Sequence, residues 1–282
     1  MAANPRQILR NLMFSLDGQL LSTGTNNFDV TLSREKLPYA AFDSRGTFNA
    51  KGSYIAGMRL VDSFGTASDA KLLEALAEDD DLVDFLLLLR SNTRNSPMDT
   101  PGNPALFMAG HVFEVPTTRA EEGQIKRIGA TFEPSDGRAP HLGQTLYTSR
   151  AATAAPMTEG VVITDPVNLG SLVEGYELAV TVHCHSITGT GIVAVQVELL
   201  SDALVGFGSP ISRHTFDLEF TNEDPVPVGG VAAPKAQTIV LDGDTLTISG
   251  EPWWALRITI TDDSAGTDGE VELTGAAALV AK

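Results

Sequence analysis

The chain has 282 residues, 43% of them hydrophobic, and a formal net charge of −17. This length allows two domains, and this apolar content excludes an intrinsically disordered protein. The charge is uneven, because residues 1–150 hold 15 Lys and Arg against 18 Asp and Glu, whereas residues 151–282 hold 4 against 18. We therefore expect the second part to repel nucleic acid and anionic membranes.

Cysteine content and hydropathy exclude further classes of protein. Cys184 is the only cysteine, which excludes an intrachain disulfide and a cysteine-based zinc site. The first residues contain no hydrophobic signal-peptide region, so synthesis in a cytoplasm is expected. Residues 82–89 are apolar but are interrupted by Asp84 and are too short to cross a bilayer, so membrane insertion is not expected.

The first elements are predicted strands. Residues 11–21 predict a β-hairpin, because Asp17-Gly18 between two apolar runs supplies the positive φ angles of a two-residue turn. Residues 28–33 alternate apolar and polar side chains, as in a strand with one buried face, and residues 54–64 form a second strand-like run. Residues 34–53 between them have no core-forming pattern and predict a long loop that meets another molecule.

The next segment predicts one short helix and two more strands. Residues 68–78 begin at the capping residue Ser68 and place leucines at helical spacing, and the acidic run 79–81 is interpreted as the solvated helix end. Residues 82–90 are compatible with either a strand or a helix. Residues 105–116 and 124–133 predict an antiparallel pair of strands.

The remainder of the chain predicts a second domain made of strands. The charge balance shifts within residues 148–158, so domains at 1–150 and 151–282 are predicted. Turn-separated strands of this number indicate an all-β protein whose second domain is a sandwich of jelly-roll or immunoglobulin-like type. The seven predicted strands are 161–163, 176–183, 192–200, 214–220, 237–241, 254–261 and 270–275.

Two motifs resemble ligand sites without their required context. Residues 189–194 match a G-x-G-x-x-A dinucleotide fingerprint, but they lead into a strand rather than a helix, so a hairpin turn is the favoured interpretation. His183 and His185 would share one strand face and could offer two metal ligands. No third ligand accompanies them, which favours the exposed face of a strand.

The last candidates are aromatic and acidic. Trp253-Trp254 could stack on a sugar ring, although alternation places one of the two in the core. The acidic segments 242–244 and 262–270 could hold calcium, but Asp and Gly are also ordinary turn residues, and the structural interpretation is favoured. The sequence contains no nucleophile elbow, zinc-protease motif or P-loop, so we expect neither an enzyme nor a cofactor or metal site.

The first half of the chain resembles a known family. A strand, a long loop and a strand with the core Gly57-Met58-Arg59-Leu60 are followed by Asp-Ala-Lys-Leu-Leu-Glu-Ala-Leu from residue 69. This order is similar to the tail tube proteins of long-tailed, siphovirus-type viruses. The resemblance implies a virion structural protein that forms stacked hexameric rings, through whose lumen viral DNA leaves, with other tail proteins as partners. It also implies that the acidic sandwich lies outside the tube.

The resemblance also implies roles for particular residues. The 34–53 loop would bridge subunits, the amino-terminal arm would help rings to stack, and the polar face of the predicted strand at residues 28–33 would line the lumen. The interface residues are Arg34, Lys36, Phe42, Arg45, Phe48 and Lys51, the stacking residues Arg6 and Arg10, and the lumen residues Asp29, Thr31 and Ser33. The alternative function is a carbohydrate-binding or adhesin-type sandwich that uses Trp253 or Trp254.

Overall fold

Contact density in the computed structural model divides the chain into two compact units. The first unit comprises residues 1–20, 86–107 and 141–282, and the second comprises residues 21–85 and 108–140. The described residues are 13–20, 25–33, 36–41, 44–49, 53–61, 82–88, 101–114, 127–134, 140–149, 160–188, 192–216, 218, 235–262 and 270–282.

The described residues form eighteen strands and no helix, which confirms the all-β class. The first nine strands are β1 (Met13–Leu16), β2 (Gln19–Leu20), β3 (Thr25–Ser33), β4 (Lys36–Ala41), β5 (Ser44–Asn49), β6 (Ser53–Val61), β7 (Val83–Leu88), β8 (Pro104–Glu114) and β9 (Arg127–Pro134). The others are β10 (His141–Thr148), β11 (Gly160–Ile163), β12 (Val167–Asn168), β13 (Tyr176–Thr188), β14 (Ile192–Asp202), β15 (Ile211–Phe216), β16 (Lys235–Asp242), β17 (Trp253–Asp262) and β18 (Glu270–Ala281).

The first unit is a sandwich of two sheets. One sheet has the order β16-β13-β18-β10-β8-β7-β1-β2, and the other has the order β11-β17-β14-β15, with β12 also paired to β17. Alternate residues of β13, β14, β17 and β18 point between the sheets, as period-two strands require. The apolar core that they form includes Leu178, Val180, Val182, Val197, Leu199, Trp254, Leu256, Ile258 and Leu273.

A second apolar cluster lies on the other face of the large sheet. Leu86, Leu88 and Phe107 pack there against small residues of β13 and β18, among them Ala276 and Ala278. Small side chains allow such close packing, and glycine allows a closer approach still. A Cβ added to Gly143 on β10 would collide with the carbonyl oxygen of Ala277, which explains why glycine occupies that position.

The second unit contains a run of four paired strands, the last of them the end of β8, and a separate hairpin. β6 pairs with β3 on one side and with β9 on the other, and β9 pairs with β8, all antiparallel. Phe85 and Phe132 are buried, and their rings pack in a tilted arrangement with centroids 5.4 Å apart. Strands β4 and β5 pair with each other and with no other described strand.

Several sequence predictions are confirmed. Asp17 and Gly18 have φ angles of +46° and +82°, so the β1–β2 hairpin has the predicted turn chemistry. The predicted β8–β9 pair is antiparallel. Residues 83–88, for which both strand and helix were compatible, form β7. The predicted helix 68–78 and the acidic run 79–81 lie outside the described residues.

Other expectations differ from the structure. The 34–53 segment contains a hairpin rather than an irregular loop, because β4 and β5 satisfy each other's backbone groups. β13 and β14 belong to different sheets, so they do not form the expected hairpin, and residues 189–191 between them lie outside the described residues. β10, which no pattern predicted, pairs with β18, so the structure joins residues on both sides of the predicted boundary near residue 150.

Candidate assembly surface

The β4–β5 hairpin is the element that the sequence analysis connects most directly with other subunits. It lies in the connection between β3 and β6, which pair with each other from Thr25↔Leu60 to Ser33↔Ser53. The hairpin itself is in register from Lys36↔Asn49 to Ala41↔Ser44 and forms a separate two-stranded sheet. Each of its strands therefore has one edge without a strand partner among the described residues.

Half of the predicted interface residues lie on this hairpin. Lys36 is on β4, and Arg45 and Phe48 are on β5. Arg45 is opposite Ala40 in the register, and Phe48 is opposite Leu37. The remaining interface residues and both stacking residues lie outside the described residues: Arg34, Phe42, Lys51, Arg6 and Arg10.

The predicted lumen residues occupy alternate positions of β3. Asp29 pairs with Gly57, Thr31 with Ile55 and Ser33 with Ser53. Their spacing of two places them on one face of the strand. Their position in a lumen stays a prediction.

The predicted strand at residues 161–163 is β11, an apolar edge strand whose exposure was not predicted. β11 pairs only with β17 among the described strands, and Val161, Val162 and Ile163 are 63%, 37% and 45% exposed. A run of β-branched residues is typical of a buried strand, so the pattern alone does not indicate this exposure. An unpaired edge that carries apolar side chains is a site where another strand can add.

The His183-Cys184-His185 segment is buried, contrary to the expected exposed strand face. Cys184 points into the sandwich core, whereas His183 and His185 lie beneath the β1–β2 hairpin. The imidazole Nδ1 of His183 lies 2.9 Å from Ser15 Oγ and accepts the Gly18 amide at 3.2 Å. The hairpin covers the histidines, and no local pattern in the chain signals this long-range contact.

The two histidines are part of a larger buried network of hydroxyl groups. His183 Nε2 lies 3.1 Å from Thr181 Oγ1, which also accepts the Thr238 hydroxyl at 2.9 Å. His185 Nε2 lies 2.9 Å from Thr274 Oγ1, and Thr274 in turn contacts Thr148 at 3.1 Å. Every ring nitrogen of the pair therefore has a partner from the protein itself.

The two tryptophans have different environments. Trp254 is fully buried in the sandwich core, and its indole Nε1 donates to the Gly170 carbonyl at 2.8 Å. It therefore has no face free for a sugar ring. Trp253 is half-buried and pairs with Asn168 and Asp202, so it is the residue that the carbohydrate alternative retains.

The acidic turn at residues 242–244 binds a lysine. Both carboxylates accept hydrogen bonds from the Lys282 ammonium group, and the Gly175 amide donates to Asp244 at 2.8 Å. Hydrogen bonds from Lys282 hold the pKa values of Asp242 and Asp244 below their usual range. Within the described ranges no group of three or more His, Cys, Asp or Glu residues has the arrangement of a metal site.

Comparisons with known proteins give structural likenesses at low similarity. No protein-family model matches the chain, and no curated protein matches it. In the part of the chain that the structure describes, no helix is long and apolar enough to span a membrane.

Three similar solved structures come from virus-like or phage particles. A chain of a native gene transfer agent virion has 10% identity and a TM-score of 0.33, covering 49% of this chain and 98% of its own. The SPP1 Dit (gp 19.1) protein, described as a paradigm of the hub adsorption apparatus in phages that infect Gram-positive bacteria, has 12% identity and a TM-score of 0.33, covering 96% of this chain and 100% of its own. A chain of the phage p2 baseplate has 8% identity and a TM-score of 0.28, covering 94% and 97%. Likeness at this level assigns no function.

Proposed function

We propose that the chain is a structural virion protein of the tail tube type, whose copies form stacked hexameric rings around a conduit for viral DNA. The element order of the first half supports this role. The paired strands β3 and β6 are connected by the long 34–53 segment, and the resemblance places such a segment between subunits. The other tail proteins are the expected partners, and the virion is the expected location.

The observation that carries the proposal is the isolation of the β4–β5 hairpin. A two-stranded sheet is only marginally stable in water, because it can cover neither of its faces nor its outer edges. The hairpin pairs with no other described strand of its own chain. A neighbouring copy that pairs with or packs on the hairpin would remove this cost, and repetition of that contact would build a ring.

Charge complementarity supports contact between copies. The 34–53 segment has four basic residues against two acidic ones, whereas residues 151–282 have 4 against 18. The basic 34–53 segment of one copy is therefore attracted to the acidic residues 151–282 of another copy. The strong negative charge of the second part would in turn keep finished tubes apart from each other, consistent with a position on the outside.

Electron microscopy combined with sedimentation tests the proposal directly. The purified chain should form six-fold rings or tubes in negative stain, and a variant with residues 36–49 replaced by a short Gly-Ser linker should remain folded but sediment as a monomer. Val205→Ser serves as a matched control, because Val205 is 59% exposed in a loop of the other unit, and this variant should assemble normally.

Two outcomes contradict the proposal. The wild-type chain could remain a monomer at every concentration and salt level, which excludes self-assembly. The linker variant could assemble as well as the wild type, which would exclude the hairpin as the contact. Circular dichroism of the linker variant shows whether a loss of rings reflects a lost contact or a lost fold.

The carbohydrate-binding alternative now depends on Trp253 alone. Its half-buried side chain is adjacent in the sheet to Asn168 and Asp202, which are polar neighbours of the kind that sugar sites use. Both carboxylate oxygens of Asp202 already accept backbone amides, from Leu204 and Ser209, at 3.0 Å. A glycan array that shows saturable binding, lost in Trp253→Ala, would favour this alternative over the tail tube.

A further inference from the structure

The turn of the β1–β2 hairpin is held on the large sheet by two histidines of β13. The Gly18 amide donates to His183 Nδ1 at 3.2 Å, and the Gly18 carbonyl accepts from His185 Nδ1 at 2.6 Å. Both polar groups of one peptide residue are thus satisfied by neighbouring imidazoles. We name this set of three residues, Gly18, His183 and His185, the hairpin latch.

The hydrogen bonds define the protonation state of His183. A backbone amide can only donate, so Nδ1 of His183 must carry a lone pair and the ring must be neutral. The Ser15 hydroxyl, 2.9 Å from the same nitrogen, is a second donor to it. The single ring proton then resides on Nε2 and is donated to Thr181 Oγ1 at 3.1 Å.

Protonation of His183 would break this arrangement. A proton on Nδ1 would turn the acceptor into a donor that faces the Gly18 amide, so that hydrogen bond would be lost and a buried amide would have no partner, whereas the Ser15 hydroxyl could rotate to accept from the new N–H. The ring is fully buried and its centroid lies 6.4 Å from that of His185. Burial, followed by the charge of His185, holds the pKa of His183 well below its ordinary value of 6.5.

We propose that the hairpin latch is an acid-released device, which holds the β1–β2 hairpin on the sheet at neutral pH and releases it on acidification. Release lets His183 take up a proton in water. It also exposes Phe14 and Leu16, which are buried while the hairpin is closed. The latch lies within the first unit alone and does not depend on tube assembly.

The direction of the pH dependence follows from linkage. A histidine with a lowered pKa in the closed state binds fewer protons there than in the open state. The contribution of His183 to the closed state is therefore fully present above the open-state pKa, about 6.5. Below it, the equilibrium constant for closing falls about tenfold for each pH unit until the closed-state pKa is reached.

Other ionisable groups lie on each element that surrounds the latch. They are Asp17 in the hairpin turn, His185 on β13, Glu272 on β18 and Lys235 on β16. In the described structure only His185 acts electrostatically on His183, and it lowers the pKa in the same direction as burial does.

Amide hydrogen exchange of the full chain tests the proposal. Protection factors, corrected for the intrinsic pH dependence of exchange, should fall about tenfold or more for Gly18 and its hairpin neighbours between pH 7.5 and 5.0. Amides of the β14–β17 pair, in the same unit, should remain protected. His183→Gln, which cannot gain a proton, should lose this pH response, whereas the control His111→Gln on β8 should keep it.

Three results would overturn the proposal. They are pH-independent protection of Gly18, a simultaneous loss of protection in β14 and β17, and an unchanged pH response in His183→Gln. If His183→Gln does not fold, imidazole NMR of the wild-type chain decides. The His183 ring should titrate together with the loss of Gly18 protection, and titration with Gly18 still protected refutes the latch.

Discussion

The two faces of strand β13 illustrate two ways to build an interface. One face places Leu178, Val180 and Val182 in the apolar core between the sheets. On the other face, Thr181 and His183 hydrogen-bond to neighbouring strands and to the hairpin. The apolar face is stabilised by the area removed from water, which has no direction, whereas the polar face requires each donor to meet an acceptor.

The difference has consequences for stability and for pH. An apolar core loses stability in proportion to removed volume and responds little to pH. A buried polar face loses stability whenever one partner is removed, because the remaining partner stays buried and unsatisfied. Substitutions in the sandwich core should therefore cause the largest losses of stability. Substitutions on the polar face should cause smaller losses that depend on hydrogen-bond direction.

Removal of Trp254 should give the largest effect. The side chain is fully buried and its Nε1 donates to Gly170 O at 2.8 Å, so Trp254→Ala leaves a cavity and an unsatisfied carbonyl. We expect a loss of about 3–5 kcal/mol in the free energy of unfolding, measured by urea denaturation. The neighbour Trp253, half-buried, is the control, and equal losses in Trp253→Ala and Trp254→Ala would contradict this assignment of the core.

Removal of one hydroxyl tests the polar face. Thr274→Val keeps the shape of a fully buried side chain but deletes the oxygen that lies 2.9 Å from His185 Nε2 and 3.1 Å from Thr148 Oγ1. We expect a loss of about 1–3 kcal/mol in unfolding free energy, because two buried polar groups lose a partner. Thr259→Val, at a half-buried position of β17, is the matched control. A neutral Thr274→Val would show that the network contributes no stability.

The ion pair between Arg213 and Glu251 should make the stability of the protein depend on pH in the acid range. Burial raises the pKa of Glu251, but hydrogen bonds from Arg213 and Ser201 lower it more, so the pKa lies below 4.5. The free energy of unfolding of the wild type should exceed that of Glu251→Gln by about 1 kcal/mol at neutral pH, because the side chains of Arg213 and Glu251 are only about one-fifth exposed. This advantage is present above pH 4.5 and is lost as pH falls through the lowered pKa. A difference that is constant from about pH 7 to 3 would contradict the ion pair.

Much of the fold could be predicted because strand patterns are local. The alternation in β3, the Asp17-Gly18 turn and the β8–β9 pair each depend on residues close together in sequence. That one of Trp253 and Trp254 lies in the core follows from the same period of two, and the structure shows that it is Trp254. The number of strands in the second half was also predicted closely, since turn residues separate them.

The remaining features depend on contacts between distant segments. The burial of His183 results from Ser15 and Gly18, which lie 168 and 165 positions away, and no local pattern encodes that contact. The exposure of Val161 depends on β11 being an edge strand, which a sequence pattern does not report. Local patterns therefore leave open the order of strands within a sheet, and they also missed β10 and the β4–β5 hairpin.

Lys282, which follows β18, should give the smallest effect, because its ion pairs are largely exposed. Lys282 binds Asp242 and Asp244 in a turn that backbone hydrogen bonds also hold, among them Gly243 N to Tyr176 O at 2.9 Å. Lys282→Ala should raise the pKa of both carboxyls towards 3.8, while the unfolding free energy changes little because the charges are exposed and screened by salt.

Carbonyl NMR titration measures these two pKa values, and Lys282→Arg is the control that retains the charge. The lowered pKa values contribute stability above pH 3.8 that disappears as the pH falls through them, so any difference between wild type and Lys282→Ala should vanish in acid. Unchanged pKa values in Lys282→Ala would show that the backbone alone sets them. A large loss of stability in Lys282→Ala at neutral pH would show that this exposed ion pair contributes as much to stability as the buried polar face of β13. That result would contradict the expected screening of exposed charges by water and salt.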